Sequence, residues 1–368
     1  MKVLVLSSHT PSLFWFRIDM MKSFQKKGYE VVAAGPDKEN DWVERFKKQG
    51  IKYVQILVSR NGLNPLNDLK TYCCLNRLLK REKPDKIFVY QAKTIAYGCL
   101  AARNNQITEV YPMVAGLGSI FRGTGLKNSV AKLVMKTLYK LAFACSEKVF
   151  FQNGDDKQEL VNMKLLKESQ VVMLNGSGVN LDKFKPVPLP STPTFLYIGR
   201  LIRDKGIMEY LDACKEIKQQ YPQVRCLLVG PFDSNPSALK PEELQSYIDN
   251  KVVEYYGEQS DVRPYIAQCS TYVLPSYHEG TPKTVLESMA MGRAILTSDA
   301  PGCRETVIDG KNGFLIPVKD VSTLVERMKF LILHQDLNTR MGKVSSDIAV
   351  DKYDVKKVND CIMKTMKL

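Results

Sequence analysis

The sequence predicts an α/β protein made of two parallel-sheet domains. Its 368 residues are too many for one ordinary hydrophobic core and suit two. In both halves, short continuous apolar runs alternate with helical patterns, which is typical of parallel sheets covered by helices on both faces. A stretch at 183–194 holds four prolines in twelve residues and predicts the linker between the halves.

The first half, residues 1–182, contains apolar runs that predict strands separated by periodic stretches that predict helices. Strands are predicted at 3–6, 30–34, 53–58, 86–90, 109–112 and 149–152. Helices are predicted at 14–27, 42–49, 69–81 and 127–148. The opening run at 2–8 lacks the long apolar region and cleavage pattern of a signal peptide, so it is interpreted as a buried strand.

The second half, residues 195–350, repeats this alternation. Strands are predicted at 195–198, 225–229, 252–256, 271–274 and 294–297, and helices at 208–219 and 284–291. In such sheets ligands bind at the carboxyl ends of the strands, so a cleft between two facing domains is the expected site. Residues 351–368 are expected to form a helix that packs back on the first domain.

The charge of the chain is unevenly distributed. The net charge is +14, yet residues 1–190 contain 30 lysines and arginines against 16 acidic residues, whereas residues 191–368 contain 23 of each. A basic first half predicts an anionic partner such as a nucleic acid, an anionic lipid or a phosphorylated substrate. No nucleic-acid motif accompanies the charge, which disfavours nucleic acid. Nine scattered cysteines without a CxxC pair indicate reduced thiols in a cytoplasm.

The segment 276–292 (SYHEGTPKTVLESMAMG) carries the strongest motif. It places a turn with Gly280 and Pro282 between a predicted strand and a helix closed by Gly292. The free N–H groups and the dipole at the start of that helix favour a phosphate. Glu279 and Glu287 bracket the turn, and carboxylates bind vicinal hydroxyl groups well. Two glutamates eight apart also occur by chance in many helices, so the pair gains meaning only from this context.

This segment resembles the E-x7-E signature of glycosyltransferase family four, the retaining enzymes of GT-B fold, and the resemblance extends over nearly the whole chain. The stretch 197–206 (YIGRLIRDKG) resembles the donor-phosphate loop of that family, which implies diphosphate contacts for Arg200 and Lys205. The resemblance further implies that Glu279 binds the donor sugar, that Gly280 and Thr281 offer N–H groups to the diphosphate, and that Glu287 binds the ribose. The loop 257–262 matches the one that lies against the base, and 299–305 and 312–313 complete the pattern.

The donor site and its catalytic residues follow from this match. Arg200, Lys205 and Glu279 are the implied catalytic residues. The implied donor-binding set is Gly199, Arg200, Lys205, Gly230, Pro231, Gly257, Glu258, Val262, Ser276, Gly280, Thr281, Pro282, Thr284, Val285 and Glu287. Independently of the family, two cations beside a helix N-terminus and just past a strand can stabilise a leaving diphosphate, although a lone lysine or arginine is more often a solvated surface residue.

The first half supplies the predicted acceptor side. The loop 7–17 (SSHTPSLFWFR) follows the first strand, but it lacks the Gly-Gly pair that related enzymes often carry. The loop 114–118 (VAGLG) resembles that of bacterial transferases which extend lipid-linked sugars, with Ala115 where relatives often have a histidine or an acid nearby. The candidate acceptor residues are His9, Thr10, Arg17, Gly116, Gly118 and Asn153. A packing role for His9 and a plain tight turn at the glycines are the alternatives.

The stretch 127–148 predicts an amphipathic helix with a basic stripe at Lys132, Lys136 and Lys140. Its apolar side is formed by Val130, Leu133, Val134, Leu138 and Leu141. Such a helix can lie on an anionic membrane, and the alternative is a surface helix whose apolar side faces the core.

No metal and no cofactor are expected. The three histidines, His9, His278 and His334, do not form a ligand cluster, and no clear DxD pair is present. The adjacent Asp155 and Asp156 are interpreted as the start of a helix after Asn153.

The predicted activity is a retaining, metal-independent glycosyl transfer at the inner face of the plasma membrane. A hexose or N-acetylhexosamine passes from a nucleotide sugar, expected to be a UDP-sugar, to a lipid-linked saccharide in capsule, O-antigen or glycan biosynthesis. One alternative is a GT-B epimerase acting on a UDP-sugar alone. Another is a catalytically silent, membrane-associated subunit that only binds nucleotide sugar.

Overall fold

The computed structural model describes residues 1–58, 64–117, 121, 126–233, 235 and 237–368. Within these residues the chain forms two compact units. The first comprises Met1–Ser177 and Val355–Leu368, and the second comprises Gly178–Asp354. Both contain a parallel sheet, as predicted.

The first unit contains a seven-stranded sheet. Strands β1 to β7 are Lys2–Leu6, Glu30–Gly35, Lys52–Gln55, Lys86–Tyr90, Val110–Val114, Val149–Phe151 and Val171–Met173. Helices α1 to α6 are Thr10–Lys26, Glu39–Lys47, Pro65–Glu82, Ala92–Asn104, Leu126–Ala144 and Gly154–Asn162. The strand order is β3-β2-β1-β4-β5-β6-β7, with every pair parallel.

The second unit contains a six-stranded sheet. Strands β8 to β13 are Thr194–Ile198, Arg225–Val229, Glu254–Tyr255, Thr271–Leu274, Ala294–Ser298 and Gly313–Ile316. Helices α7 to α12 are Ile207–Gln220, Pro241–Asp249, Arg263–Ala267, Lys283–Ala290, Val321–Leu333 and Gln335–Lys352. The order is β10-β9-β8-β11-β12-β13, again all parallel.

Alternating strand residues of the first unit supply two cores, one on each face of its sheet. On one face Leu4 and Leu6 pack with side chains of α3, α4 and α5, including Leu75, Cys99 and Tyr139. On the other face Val3 and Val5 pack with α1, α2 and the last helix α13, Val355–Thr365. The helices therefore cover both faces, as continuous apolar strands require.

Several helices start at residues whose side chains satisfy otherwise unpaired N–H groups. The Asn64 side chain accepts from the amides of Leu66 and Asn67 before α3, which has Pro65 in its first turn. Asn153 accepts from the amide of Asp156 at 2.7 Å and caps α6, as predicted from the adjacent aspartates. Asp320 caps α11 in the same way.

The division into units differs from the predicted one. The proline-rich stretch 183–194 lies within the second unit, where Phe184 and Val187 pack against its core and the Pro188 carbonyl accepts two bonds from Arg293. The chain instead passes between units at 177/178 and at 354/355. The prolines stiffen this stretch as expected. Its apolar side chains nevertheless pack against the core of the second unit, so the stretch is not a linker between the two units.

The last helix belongs to the first unit. Val358, Ile362 and Met363 of α13 are buried in the core against α1, and the Asn359 side chain donates to Ser23 Oγ at 3.3 Å. The residues 351–354, which were expected to belong to this helix, lie instead at the end of the second unit.

Candidate active site

In the second sheet, chain order changes direction between β8 and β11. From β8 the strands continue through β9 to β10 on one side, whereas β11 leads through β12 to β13 on the other. The loops after β8 and β11 therefore diverge at this switch point and leave a crevice at the carboxyl ends of the strands, where ligands bind in such sheets. These two loops contain Arg200, Lys205, Glu279 and Thr281.

Lys205 and Glu279, 74 residues apart in sequence, meet in this crevice. Lys205 Nζ lies 2.5 Å from Glu279 Oε1, and the Ser276 hydroxyl donates to the same oxygen at 3.0 Å. Both charged side chains are largely buried. The structure thus brings together two of the three predicted catalytic residues, with a cation and a carboxylate that can each contact a ligand.

The two loops approach so closely because of a glycine and a tyrosine. Gly206 has φ +72°, and a Cβ there would lie 2.1 Å from the Pro275 carbonyl oxygen, so a side chain cannot be accommodated. The Tyr277 amide donates to the Asp204 carbonyl at 2.9 Å, and its hydroxyl donates to Glu209 Oε1 at 2.5 Å. Burial, followed by the neighbouring Glu209, raises the pKa of the Tyr277 phenol and keeps it a donor. The crevice is therefore held in shape by contacts beneath it.

Arg200, the third predicted catalytic residue, is held by an aspartate that the motif did not include. Its Nη1 donates to Asp233 Oδ2 at 2.8 Å. Asp233 lies in the loop after β9, and its other oxygen accepts from the Asn235 amide at 2.8 Å. Backbone bonds from Leu201 to the Pro231 carbonyl and from Leu239 to the Leu201 carbonyl join the two loops. Asp233 thereby fixes the direction of the Arg200 guanidinium.

Replacing Asp233 by alanine is expected to weaken donor binding on the order of tenfold, because Arg200 loses its orienting partner while keeping its charge. The measurement is the donor KM of Asp233→Ala and of the same change in an Arg200→Ala background. In that background the loss should largely vanish, since the two residues act through one interaction.

A suitable control is Asp320→Ala, which removes a helix cap in the same unit. This change should lower stability slightly and leave the donor KM unchanged. An Asp233→Ala effect of equal size with and without Arg200 would contradict the positioning role.

Glu287 lies in α10 with its carboxyl group almost fully buried. Burial raises the pKa of Glu287 to about 7, with Asp261 raising it further and Lys283 lowering it. A carboxyl group kept in an apolar environment needs a hydrogen-bonding ligand to favour its charged form. Glu287 lies in the second turn of this helix, eight residues after Glu279.

The start of α10 is attached to both central strands. Thr284 Oγ1 lies 2.6 Å from the Tyr272 hydroxyl, which itself donates to the Ile198 carbonyl at 3.0 Å. Pro282 occupies the position before the helix rather than its first residue, and Gly292 follows the helix with φ +78°. These contacts direct the N-terminus of α10 toward the carboxyl ends of β8 and β11.

The remaining donor residues fall into two groups. Gly199, Gly230, Pro231 and Gly257 lie together where β8 and β9 end, joined by bonds from the Gly199 amide to the Val229 carbonyl and from the Gly230 amide to the Gly257 carbonyl. Glu258 is exposed and Val262 is half-buried beside them. Ser276, Gly280 and Thr281 are buried in the loop after β11. Val285 differs from these residues because its side chain is completely buried in the apolar core, where it supports α10.

Two of the predicted acceptor residues that the structure describes, Thr10 and Arg17, point into the first unit. Thr10 is buried and hydrogen-bonded to the Tyr53 hydroxyl at 2.9 Å. Arg17 is 2% exposed and lies over the rings of Phe88 and Tyr90, and burial lowers the pKa of its guanidinium. These contacts give Thr10 and Arg17 a packing role in the first unit, and their contact with an acceptor stays a prediction.

The other acceptor candidates have mixed placements. His9 precedes α1 and is half-exposed, with its carbonyl accepting from Ser12 Oγ at 2.7 Å. Gly116 follows β5 with φ +123°. Asn153 is buried as the cap of α6. Gly118 lies outside the described residues.

Sequence patterns missed Gln91, which lies at the switch point of the first sheet. It directly follows β4, the neighbour of β1, and has φ 73° although it is not a glycine. Its side-chain oxygen accepts from Ser7 Oγ at 2.8 Å and from Ser8 Oγ at 2.7 Å. In the sequence, only the position of Gln91 at the end of a predicted strand could have indicated a site residue. Its hydrogen bonds with Ser7 and Ser8 join two loops about 83 residues apart, which a sequence pattern does not reveal.

Comparison with known families assigns both units. A model of the group 1 glycosyl transferases matches residues 180–346, and a model of glycosyl transferase 4-like domains matches residues 2–153. Solved structures of the same fold include sucrose-phosphate synthase of Thermosynechococcus elongatus, with a TM-score of 0.81 at 17% identity over 100% of this chain and 98% of that one. Anabaena HepE in complex with UDP-glucose aligns with a TM-score of 0.78 at 18% identity over 100% and 99%.

Curated relatives are similar over most of their length. An N,N'-diacetylbacillosaminyl-diphospho-undecaprenol alpha-1,3-N-acetylgalactosaminyltransferase of Campylobacter jejuni is 29% identical over 96% of this chain and 95% of its own. A UDP-Gal:alpha-D-GlcNAc-diphosphoundecaprenol alpha-1,3-galactosyltransferase of Escherichia coli is 25% identical over 82% and 80%. Two parallel-sheet units with this crevice define a glycosyltransferase of GT-B fold. The chain is a glycosyltransferase, as the E-x7-E segment indicated, and its second half matches the group 1 family.

Proposed function

We propose that this enzyme transfers a hexose or N-acetylhexosamine from a UDP-sugar to a saccharide carried on a polyprenyl diphosphate. The observation that carries the proposal is the meeting of Lys205 and Glu279 at the switch point of the second sheet, where the loop with Lys205 also contains Arg200. The choice of acceptor is supported by the relatives from C. jejuni and E. coli, whose names specify diphospho-undecaprenol-linked sugars.

In the proposed reaction the bond between the sugar C1 and the diphosphate oxygen breaks, and its electron pair leaves with UDP. The acceptor hydroxyl oxygen bonds to C1 on the face that UDP leaves, so the anomeric configuration is retained. The hydroxyl proton passes to the departing phosphate oxygen. Arg200 and Lys205 stabilise the charge that develops on the diphosphate, and Glu279 accepts hydrogen bonds from the sugar hydroxyls.

Two cations held beside a helix N-terminus can stabilise this charge without a metal ion, and metal independence is therefore part of the proposal. Turnover should persist after treatment with EDTA. Loss of activity that Mg²⁺ or Mn²⁺ restores would contradict this part alone.

The decisive experiment incubates the enzyme with a panel of radiolabelled nucleotide sugars and polyprenyl-diphosphate-linked saccharides. Transfer is expected from a UDP-sugar, and NMR of the product should show the anomeric configuration of the donor. Conversion of UDP-N-acetylglucosamine without acceptor would favour an epimerase. Binding of UDP-sugars with no transfer to any acceptor would favour a silent binding subunit.

The proposal includes contact between the first unit and an anionic membrane, at the inner face of the plasma membrane. A polyprenyl-linked acceptor resides in the bilayer, and the excess positive charge of residues 1–190 suits the negative surface of the cytoplasmic leaflet. Among the described residues, no helix has the length and apolarity needed to cross a bilayer.

A further inference from the structure

Helix α5 in the first unit is apolar on two opposite faces. One face, with Met135, Tyr139, Ala142 and Phe143, is buried against the sheet. The opposite face contains Val130, Leu133, Val134 and Leu141, whose exposed fractions range from 41% to 66%. The spacing of these four residues places them on one narrow face of a helix. The apolar side predicted from the sequence is thus largely the exposed side, with Leu138 half-buried at its edge.

The charged residues of α5 that border this exposed face are lysines. Lys136 is half-buried and Lys140 is exposed along one edge of it, whereas Lys132 is engaged with the Phe121 carbonyl at 2.8 Å and with Glu159. No aspartate or glutamate occurs between residues 126 and 146. An apolar face bordered by lysines without acidic residues complements a surface that is apolar inside and negative outside.

We propose that this face of α5, named here the docking face (Val130, Leu133, Val134, Lys136, Lys140 and Leu141), inserts into the surface of an anionic bilayer. The leucines and valines enter the boundary between headgroups and acyl chains, and the two lysines pair with lipid phosphates. The inference rests on the proposed membrane contact of the first unit and gives that contact a location. The helix keeps its place in the fold because its other face forms the core.

The test is sedimentation of the full chain with vesicles. The protein is expected to bind vesicles of phosphatidylcholine mixed with phosphatidylglycerol, and only weakly those of phosphatidylcholine alone. Leu133→Ser with Val134→Ser should weaken this binding on the order of tenfold. Lys136→Gln with Lys140→Gln should weaken it several-fold and reduce its dependence on salt.

The chain offers matched controls in the second unit. Leu333 has the same exposure as Leu133, 66%, and Val350 is 52% exposed, so Leu333→Ser with Val350→Ser removes similar exposed apolar area elsewhere. Lys215→Gln with Lys343→Gln removes two exposed charges outside the docking face. Both controls should bind vesicles like the unchanged protein.

Equal binding by the Leu133/Val134 variant and the unchanged protein would overturn the inference, as would an equal loss in the control pair. A second result would also overturn the inference. If sedimentation velocity showed that the unchanged protein is a dimer and the Leu133/Val134 variant a monomer, with equal vesicle binding, the docking face would join two copies of the chain. An assay with a detergent-soluble acceptor tests the proposed transferase activity without requiring the enzyme to bind a membrane. Both variant and unchanged enzyme should glycosylate it at similar rates, whereas failure of both would contradict the transferase proposal alone.

Discussion

Alanine in place of Lys205 is expected to lower turnover at least 100-fold. Lys205 Nζ lies at the carboxyl edge of β8, 2.5 Å from Glu279, in a crevice with little exposure to solvent. If it contacts the departing diphosphate, it stabilises charge that exists only as the sugar bond breaks, so its loss should reduce kcat more than it raises the donor KM. A 100-fold loss corresponds to about 2.7 kcal/mol. Glu279→Ala should cause a loss of similar size.

The first unit provides a control for the general effect of breaking such an ion pair. Lys157 Nζ lies 2.5 Å from Glu168 Oε1, and the Lys157 side chain is 21% exposed, as is that of Lys205. Lys157→Ala should leave kcat within about twofold, because partly exposed pairs contribute little to stability and this one lies outside the crevice. Near-normal turnover of both Lys205→Ala and Glu279→Ala would refute the assignment of the site.

The affinity for a nucleotide-sugar donor is expected to fall as the pH drops below about 7. Glu287 has a pKa raised to about 7 by burial, and only its ionised form can accept hydrogen bonds from both ribose hydroxyls. Full affinity should therefore be present above pH 7 and be lost below it, with donor binding on the order of tenfold weaker at pH 6 than at pH 8. Titration calorimetry at several pH values measures this directly.

The ligand for that experiment should be the intact nucleotide sugar rather than UDP. Both phosphates of the sugar nucleotide are esterified or bridging and stay ionised, whereas a terminal phosphate group titrates near pH 6. The Glu287→Gln variant should bind the nucleotide sugar about tenfold more weakly than the unchanged protein at pH 8. Its affinity should not change with pH. Glu254→Gln is the matched control, because hydrogen bonds from Arg225 hold the pKa of that carboxyl below its usual range. A pH dependence that persists in Glu287→Gln would contradict the ribose role.

Buried parallel strands were predictable because each is a continuous apolar run bounded by turn residues. The strands at 86–90, 225–229 and 271–274 have the predicted bounds. The short β7 and the glycine-led β13 were missed, since three or four residues provide too little pattern. Helix α4 was also missed because its small residues produce no clear polar and apolar faces.

The site was predictable as residue types and turns but not as contacts. The motif pointed to Lys205 and Glu279 separately, yet their pairing depends on how two loops meet at the switch point. Asp233 could not be found because its effect on Arg200 requires the geometry of a third loop. Periodicity likewise identified the apolar face of α5 that contains Leu133. It could not predict that this face is exposed, because a second apolar face of the helix packs against the core instead.

The chain crosses between the two units twice, and this has a practical consequence for dissecting the enzyme. The first and last residues of the second unit lie side by side, because the Val179 amide donates to the Tyr353 carbonyl at 2.8 Å. A single proteolytic nick in either crossing therefore leaves the units covalently joined through the other. Expressing the first unit alone would require grafting residues 355–368 onto residue 177, because Ile362 and Met366 fill its core. The second unit, by contrast, is one uninterrupted segment, 178–354, and can be excised directly for donor-binding measurements.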